Sequence, residues 1–174
     1  MVTHEPGGTE LGARLRRLLL GIGEAPVGAR AEALLMAADR AQHFDEVVLP
    51  SLGDGRHVVS DRTAFSSLAY QGGGRGLGVE TVRGLNEFAT RGRWPDAVVL
   101  LEVSSSVARD RLGRVLDRLE REDLDFHETV TETFDRLAET DTASRWHRID
   151  ASGPLGDVAE LVWAAVADLF PGVS

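Results

Sequence analysis

Residues 97–103 constrain the fold more than any other stretch. They read Ala-Val-Val-Leu-Leu-Glu-Val, follow Pro95, and are apolar and β-branched. Such a run reads as a buried strand of a parallel sheet. Residues 57–61 predict a second strand, entered from the Gly53-Asp54-Gly55 turn, and residues 147–151 a short third. Val2-Thr3 fits only the end of a strand. Helical spacing covers 9–20, 31–52 with a break near 42–45, 79–91, 106–121, 126–139 and 154–170. The apolar stripe is Leu11, Leu15, Leu18 and Leu19 in the first helix, and Leu34, Leu35, Ala38 and Ala41 in the second. Strands separated by long helices mean an α/β fold around a parallel sheet, here a single domain over residues 1–174. Ligands of such sheets bind beyond the carboxyl ends of the strands. That rule directs attention to the residues after Val2-Thr3, Val59-Ser60 and Leu101-Glu102-Val103.

Composition narrows the chemistry at those strand ends. All 19 basic residues are arginine, and the chain has neither lysine nor cysteine. Disulfides, thiol nucleophiles, Cys-type zinc sites, Schiff bases and a lysine-bearing phosphate loop are therefore excluded within these residues. Phosphate chemistry here must rest on arginine, backbone N–H groups and metal. The net charge is −9, and the acidic excess lies mostly in residues 100–174. Such a chain is a poor general partner for nucleic acid. No apolar run approaches the ~20 residues that span a bilayer, and the first residues lack the pattern of a signal peptide. The expectation is a cytoplasmic protein with no membrane contact in this segment.

Several constellations carry chemistry. Thr3-His4-Glu5-Pro6-Gly7-Gly8-Thr9 is a tight turn into a helix that Thr9 can cap, and taken alone it reads first as a plain strand-to-helix turn with solvated arginines; its backbone N–H groups can also hold an anion. Asp61-Arg62 stands at a strand end, where Asp61 suits Mg²⁺ or a proton and Arg62 suits a phosphoryl group. The alternative is a mutual ion pair. Met36 and Arg40 lie four apart on one helix face, fit either for a flat base or for core packing. Gly72-Gly73-Gly74-Arg75-Gly76-Leu77-Gly78 follows no strand and fails the phosphate-loop pattern, so it reads as a bent or flexible segment. Arg109, Arg111, Arg114, Arg118 and Arg121 form either a solvated helix or a flap over a polyphosphate. The five histidines have no metal-ligand spacing, and no serine-hydrolase motif occurs.

Taken in order, these pieces resemble thymidylate kinase, a family that phosphorylates dTMP with ATP and Mg²⁺. Thr3-His4-Glu5-Pro6-Gly7-Gly8-Thr9 is similar to the family's T-R-E-P-G-G-T, Ala38-Asp39-Arg40 to its A-A-D-R, and Asp61-Arg62 to its D-R pair. Ser66-Ser67-Leu68-Ala69-Tyr70-Gln71-Gly72 matches its S-S-x-A-Y-Q-G, and Leu116-Asp117-Arg118-Leu119-Glu120 its lid, about residues 111–125. Leu85-Asn86-Glu87-Phe88-Ala89 and Pro95-Asp96 also fit. The resemblance implies the sheet of a nucleoside monophosphate kinase, in strand order 2-3-1-4-5. It implies that Glu5 and Arg16 face the sugar-phosphate and that Arg62 grips the phosphate. Arg40, Ser67 and Gln71 would bond thymine, with Met36 and Ser66 beside it and Tyr70 against the sugar. Asp61 would act near Mg²⁺, and Arg114 and Arg118 would close from the lid. A homodimer is implied in the same way.

Three departures accompany the match. Thr63 replaces an aromatic residue, and Met36 stands where the family stacks Phe on the base. The family's opening strand and G-x-x-G-x-G-K-S/T loop have no counterpart in these residues. The expectation is an N-terminally truncated kinase lacking its central strand and phosphate loop, inactive as an isolated chain. A dTMP-binding remnant and a non-enzymatic interaction domain are the alternatives.

Overall fold

The computed structural model describes residues 1–21, 26–104, 107 and 117–171. Two compact units make up the chain, one of residues 1–93 and 117–140, the other of 94–116 and 141–174. Every expected site residue except Arg114 falls in the first unit. Arg114 lies outside the described residues, as does most of the helix expected over 106–121.

In the first unit, strand β1 (Val2–His4) pairs in parallel with β2 (Val59–Asp61), setting Thr3 opposite Ser60 and His4 opposite Asp61. Helices α1 (Glu10–Leu20), α2 (Ala29–His43) and α3 (Leu49–Gly53) connect them. Thr9 caps α1, its hydroxyl accepting from the Gly12 N–H at 2.9 Å. The expected break near 42–45 is a π-helical stretch, Phe44–Val48, that carries α2 directly into α3. Pro50 is the physical reason: it offers no N–H and crowds the preceding turn, and a widened turn absorbs both.

Helix α4 (Ala64–Ser67) passes into a second π-helical stretch, Leu68–Gly74, where the sequence predicts only a bent glycine segment. Helices α5 (Val79–Thr90) and α6 (Leu124–Thr140) complete the unit. The glycines have a packing reason. A Cβ on Gly73 would lie 2.2 Å from Thr133 Oγ1, and one on Gly74 would lie 2.6 Å from the Phe126 ring. Helix α6 thus rests against bare backbone. Gly84, inside α5, has nothing within 4 Å of such a Cβ. Gly74→Ala should therefore lower stability by roughly 1–3 kcal/mol through overpacking. Gly84→Ala should raise it by about 0.8 kcal/mol. Urea unfolding of the two variants checks both signs.

Leu19, Met36, Ala69, Leu119, Phe126 and Val130 form the core, with Tyr70 and Phe134 packed against it. Helix α2 buries a different face from the expected one. Leu34 is 56% exposed, while Glu32, Ala33, Met36, Asp39, Arg40 and His43 are buried. Residues 117–121 are a turn and do not continue a helix from 106. Asp117 Oδ1 accepts from the Leu119 and Glu120 N–H groups, both at 2.9 Å, and Glu120 Oε2 accepts from the Asp117 N–H at 2.9 Å. Side-chain bonds to backbone N–H groups compete with the helix at that point.

In the second unit, β3 (Ala97–Glu102) pairs in parallel with β4 (Arg145–Asp150), from Ala97 opposite Arg145 to Glu102 opposite Asp150. Helix α7 (Leu155–Val166) follows β4 and ends in a 3₁₀ turn. The run that reads as a buried strand is less covered than its sequence suggests. No residue of β3 is buried, and Leu101 is 53% exposed, because among the described residues only β4 pairs with it. The α/β class and the parallel pairing agree with the sequence. No helix among the described residues is long and apolar enough to cross a membrane.

Candidate functional site

The turn after β1 delivers Glu5 into the interior. The Glu5 N–H bonds the Asp61 carbonyl at 3.0 Å, extending the β1–β2 ladder by one step, and the Glu5-Pro6 bond is cis. The Glu5 carboxylate is buried and engaged at both oxygens. Oε2 accepts from Arg40 Nε at 2.8 Å, and Oε1 lies 2.7 Å from His43 Nδ1. His43 Nε2 lies 2.7 Å from the Thr3 hydroxyl. Arg40 Nη1 donates to Ser67 Oγ at 3.2 Å and to Asn86 Oδ1. Asn86 donates its own NH₂ to the Val82 carbonyl at 2.7 Å, which turns its oxygen toward Arg40. Arg40 is 2% exposed, and its Nη2 meets no acceptor among the described residues.

The polar face of α2 follows from spacing. Residues 32, 36, 39, 40 and 43 recur at intervals of three and four, which places them on one side of a helix. Asp39 Oδ1 accepts from the Gly7 N–H at 3.0 Å, so this N–H of the expected anion turn is already taken. A Cβ on Gly12 would lie 2.4 Å from the same oxygen, so the backbone of α1 runs against α2 here.

Burial pushes the Glu5 carboxyl up, but Arg40 and His43 together outweigh it and hold the group below the usual carboxylate range. Asp39 goes the other way. Burial raises it, the Glu5 charge adds to that, and the Gly7 bond and Arg40 do not compensate. The two groups have opposite linkage signs. Glu5 contributes stability above its unfolded pKa, and this is lost as pH falls through the lowered folded value. Asp39 binds its proton more tightly in the native state, so it costs stability as pH rises through the window above the ordinary aspartate value. Asp39→Asn should therefore gain on the parent as pH rises through that window, with a constant gap above it. Urea unfolding at a series of pH values measures the gap.

At the end of β2, Asp61 and Arg62 are exposed. Arg62 is held at φ +64° in the left-handed region, and Ser60 Oγ donates to its carbonyl at 2.8 Å. Its guanidinium lies over the Tyr70 ring, 5.1 Å from the centroid. Tyr70 in turn makes edge contacts with Phe126 and Phe134, at 6.1 and 6.4 Å between centroids. Arg16 Nη1 donates to the Pro6 carbonyl at 2.8 Å. Met36 is a core residue, Ser66 is half-buried, and Ser67 is buried on Arg40. Arg118 and Gln71 both bond the buried Glu32.

The described residues gather no group of three His, Asp or Glu side chains as a metal cage. Asp61 is a single accessible carboxylate, the donor that suits a magnesium ion completed by water and phosphate oxygens.

The structure thus brings Glu5, Arg40, Ser67 and Gln71 around α2, and Arg62 and Tyr70 beside β2. The sequence reading gives no role to Glu32, Asp39, His43 or Asn86, although Asp39 and Asn86 lie within motifs it matches. The recurrence of charged residues at 32, 39, 40 and 43 is the signal for three of them, and the motif over residues 85–89 is the signal for Asn86.

The sequence model of a family described as thymidylate kinase matches residues 1–162. A thymidylate kinase of Synechococcus sp. (strain JA-3-3Ab) is 47% identical over 166 residues, covering 94% of this chain and 78% of that protein. A thymidylate kinase of Lactobacillus helveticus (strain DPC 4571) is 37% identical over 177 residues, covering 99% and 83%.

Proposed function

The chain belongs to the thymidylate kinase family, and from that premise we propose that its first unit holds dTMP for phosphoryl transfer from ATP. One observation carries the assignment of residues. Arg40 is a buried guanidinium fixed by Glu5, Ser67 and Asn86, with two N–H groups left over. Gln71 follows Ser67 by one helical turn. Thymine presents a carbonyl acceptor beside an N3–H donor. A guanidinium N–H and an amide carbonyl answer that pair, and cytosine presents the reverse.

The remaining roles follow from position. Arg62 binds the dTMP phosphate, and Tyr70, braced by two rings, packs against the sugar. Arg16 supplies a second cation near the phosphate. Met36 meets the base through a soft apolar surface where the family stacks an aromatic ring. Ser67 and Glu5 orient Arg40, and Ser66 lines the same turn. Asp61 would hold Mg²⁺, which supplies charge neutralisation at the transferring group. Arg114 belongs with the donor phosphates. Arg118 roots the lid by donating from Nε to the Leu19 carbonyl at 2.7 Å and from Nη2 to Glu32 at 2.7 Å. Phosphoryl transfer needs little covalent chemistry from such a site beyond positioning and charge. A cytoplasmic location and a homodimer belong to the same reading; exposed Phe88 on α5 and Leu34 on α2 offer apolar contact for a second copy.

Calorimetric titration tests the reading. dTMP should bind about tenfold or more tighter than thymidine, and tighter than dCMP. Equal binding of dTMP and dCMP would remove the base assignment.

A further inference from the structure

We propose that Glu32 is a positioning residue that decides which base the site accepts, by fixing the amide of Gln71. The inference rests on the dTMP reading above. Glu32 is fully buried on the first turns of α2. Its Oε1 accepts from Gln71 Nε2 at 2.9 Å and from Arg75 Nε at 3.2 Å. Its Oε2 accepts from Arg75 Nη2 at 3.1 Å and from Arg118 Nη2 at 2.7 Å.

A carboxylate only accepts hydrogen bonds, whereas an amide has a donor end and an acceptor end. Gln71, itself 1% exposed, turns its NH₂ end to Glu32 and donates one N–H to it. Its Oε1 meets no donor among the described residues. The bond to Glu32 fixes which end of the amide faces that carboxylate, so the oxygen is the end presented on the other side, as an acceptor for a bound base. Thymine and uracil carry a proton at N3 and match it. Cytosine has a lone pair at N3, and two acceptors face each other.

Without Glu32 the amide could turn over and serve either base, so selectivity resides one residue behind the contact. The two arginines hold the carboxylate in place. Arg118 is anchored on the carbonyls of Leu19 and Val27, and Arg75 lies over the Phe126 ring, 4.9 Å from its centroid.

The test is the ratio of dTMP to dCMP dissociation constants, measured by calorimetry on the whole chain. In Glu32→Gln, residue 32 can donate as well as accept, and the amide of Gln71 is free to turn. The ratio should narrow about tenfold or more, with dCMP binding tighter than in the parent. Damage to the fold would not tighten dCMP. Arg75→Met leaves Gln71 on Oε1 and Arg118 on Oε2, so it should lower the unfolding midpoint and keep the ratio. Glu32→Asp, which keeps the charge and withdraws the acceptor by one methylene, serves if Glu32→Gln does not fold; it should narrow the ratio several-fold. An unchanged ratio in either Glu32 variant, or equal weakening of both nucleotides, overturns the proposal. A parent chain that binds neither nucleotide overturns the dTMP reading itself, before any variant is made.

Discussion

Arg40→Met should cost about 3–5 kcal/mol of stability and about 100-fold in dTMP affinity, the largest effect expected of any single change in this chain. Methionine keeps most of the side-chain volume, so the loss is electrostatic and not a cavity. The substitution leaves the Glu5 carboxylate buried with His43 as its one remaining side-chain partner among the described residues. It also leaves the oxygens of Ser67 and Asn86 without the guanidinium that now meets them. Removing one half of a buried ion pair is costly because the other half stays behind uncompensated. A double variant, Arg40→Met with Glu5→Gln, should therefore be more stable than Arg40→Met alone, and the coupling should be read from the full cycle. Urea unfolding measures the stability and calorimetry the affinity. Additive losses in the cycle would mean that the two side chains do not act as a unit.

Arg62 separates binding from stability in the opposite direction. Arg62→Gly and Arg62→Ala should each weaken dTMP by about 100-fold, through loss of a charge-assisted contact to phosphate, and leave thymidine affinity unchanged. The glycine variant should be more stable than the alanine variant by roughly 1–2 kcal/mol, since φ +64° is left-handed backbone in which a Cβ is crowded. A side chain kept in such a conformation at the end of a strand fits a residue retained for what its guanidinium does. Arg75→Ala provides the contrast. Arg75 is paired with Glu32 and Glu122, so its loss should lower stability while the difference between dTMP and thymidine stays as it was. Equal loss of dTMP discrimination in Arg62→Ala and Arg75→Ala would dissolve the phosphate assignment.

The sequence reading succeeds where one residue type at one spacing decides the outcome. Thr9 caps its helix as read, and the β-branched run behind Pro95 forms a strand. It fails where partners are distant in the chain. The apolar spacing of Leu34, Leu35, Ala38 and Ala41 points to one face of α2, yet the helix buries Glu32, Asp39, Arg40 and His43. Their partners are Thr3, Glu5, Gly7, Gln71 and Arg118, supplied from β1 and the turn after it, from the stretch after α4 and from the turn before α6. No local pattern announces those pairings. The glycines at 73 and 74 read only as a bent or flexible segment for the same reason, because the side chains that require them, Thr133 and Phe126, lie more than fifty residues on. The roles of Arg40, Gln71 and Arg62 came from ordered motifs, and the geometry adds which atoms of each remain available.

A crystal structure of the chain with dTMP tests the central claim most directly. The thymine edge should lie at Arg40 Nη2 and Gln71 Oε1, with N3–H toward the amide carbonyl, the phosphate on Arg62, and the Glu32–Gln71 bond intact. A nucleotide whose base is turned away from Arg40, or whose phosphate rests on Arg75 instead of Arg62, would contradict that claim.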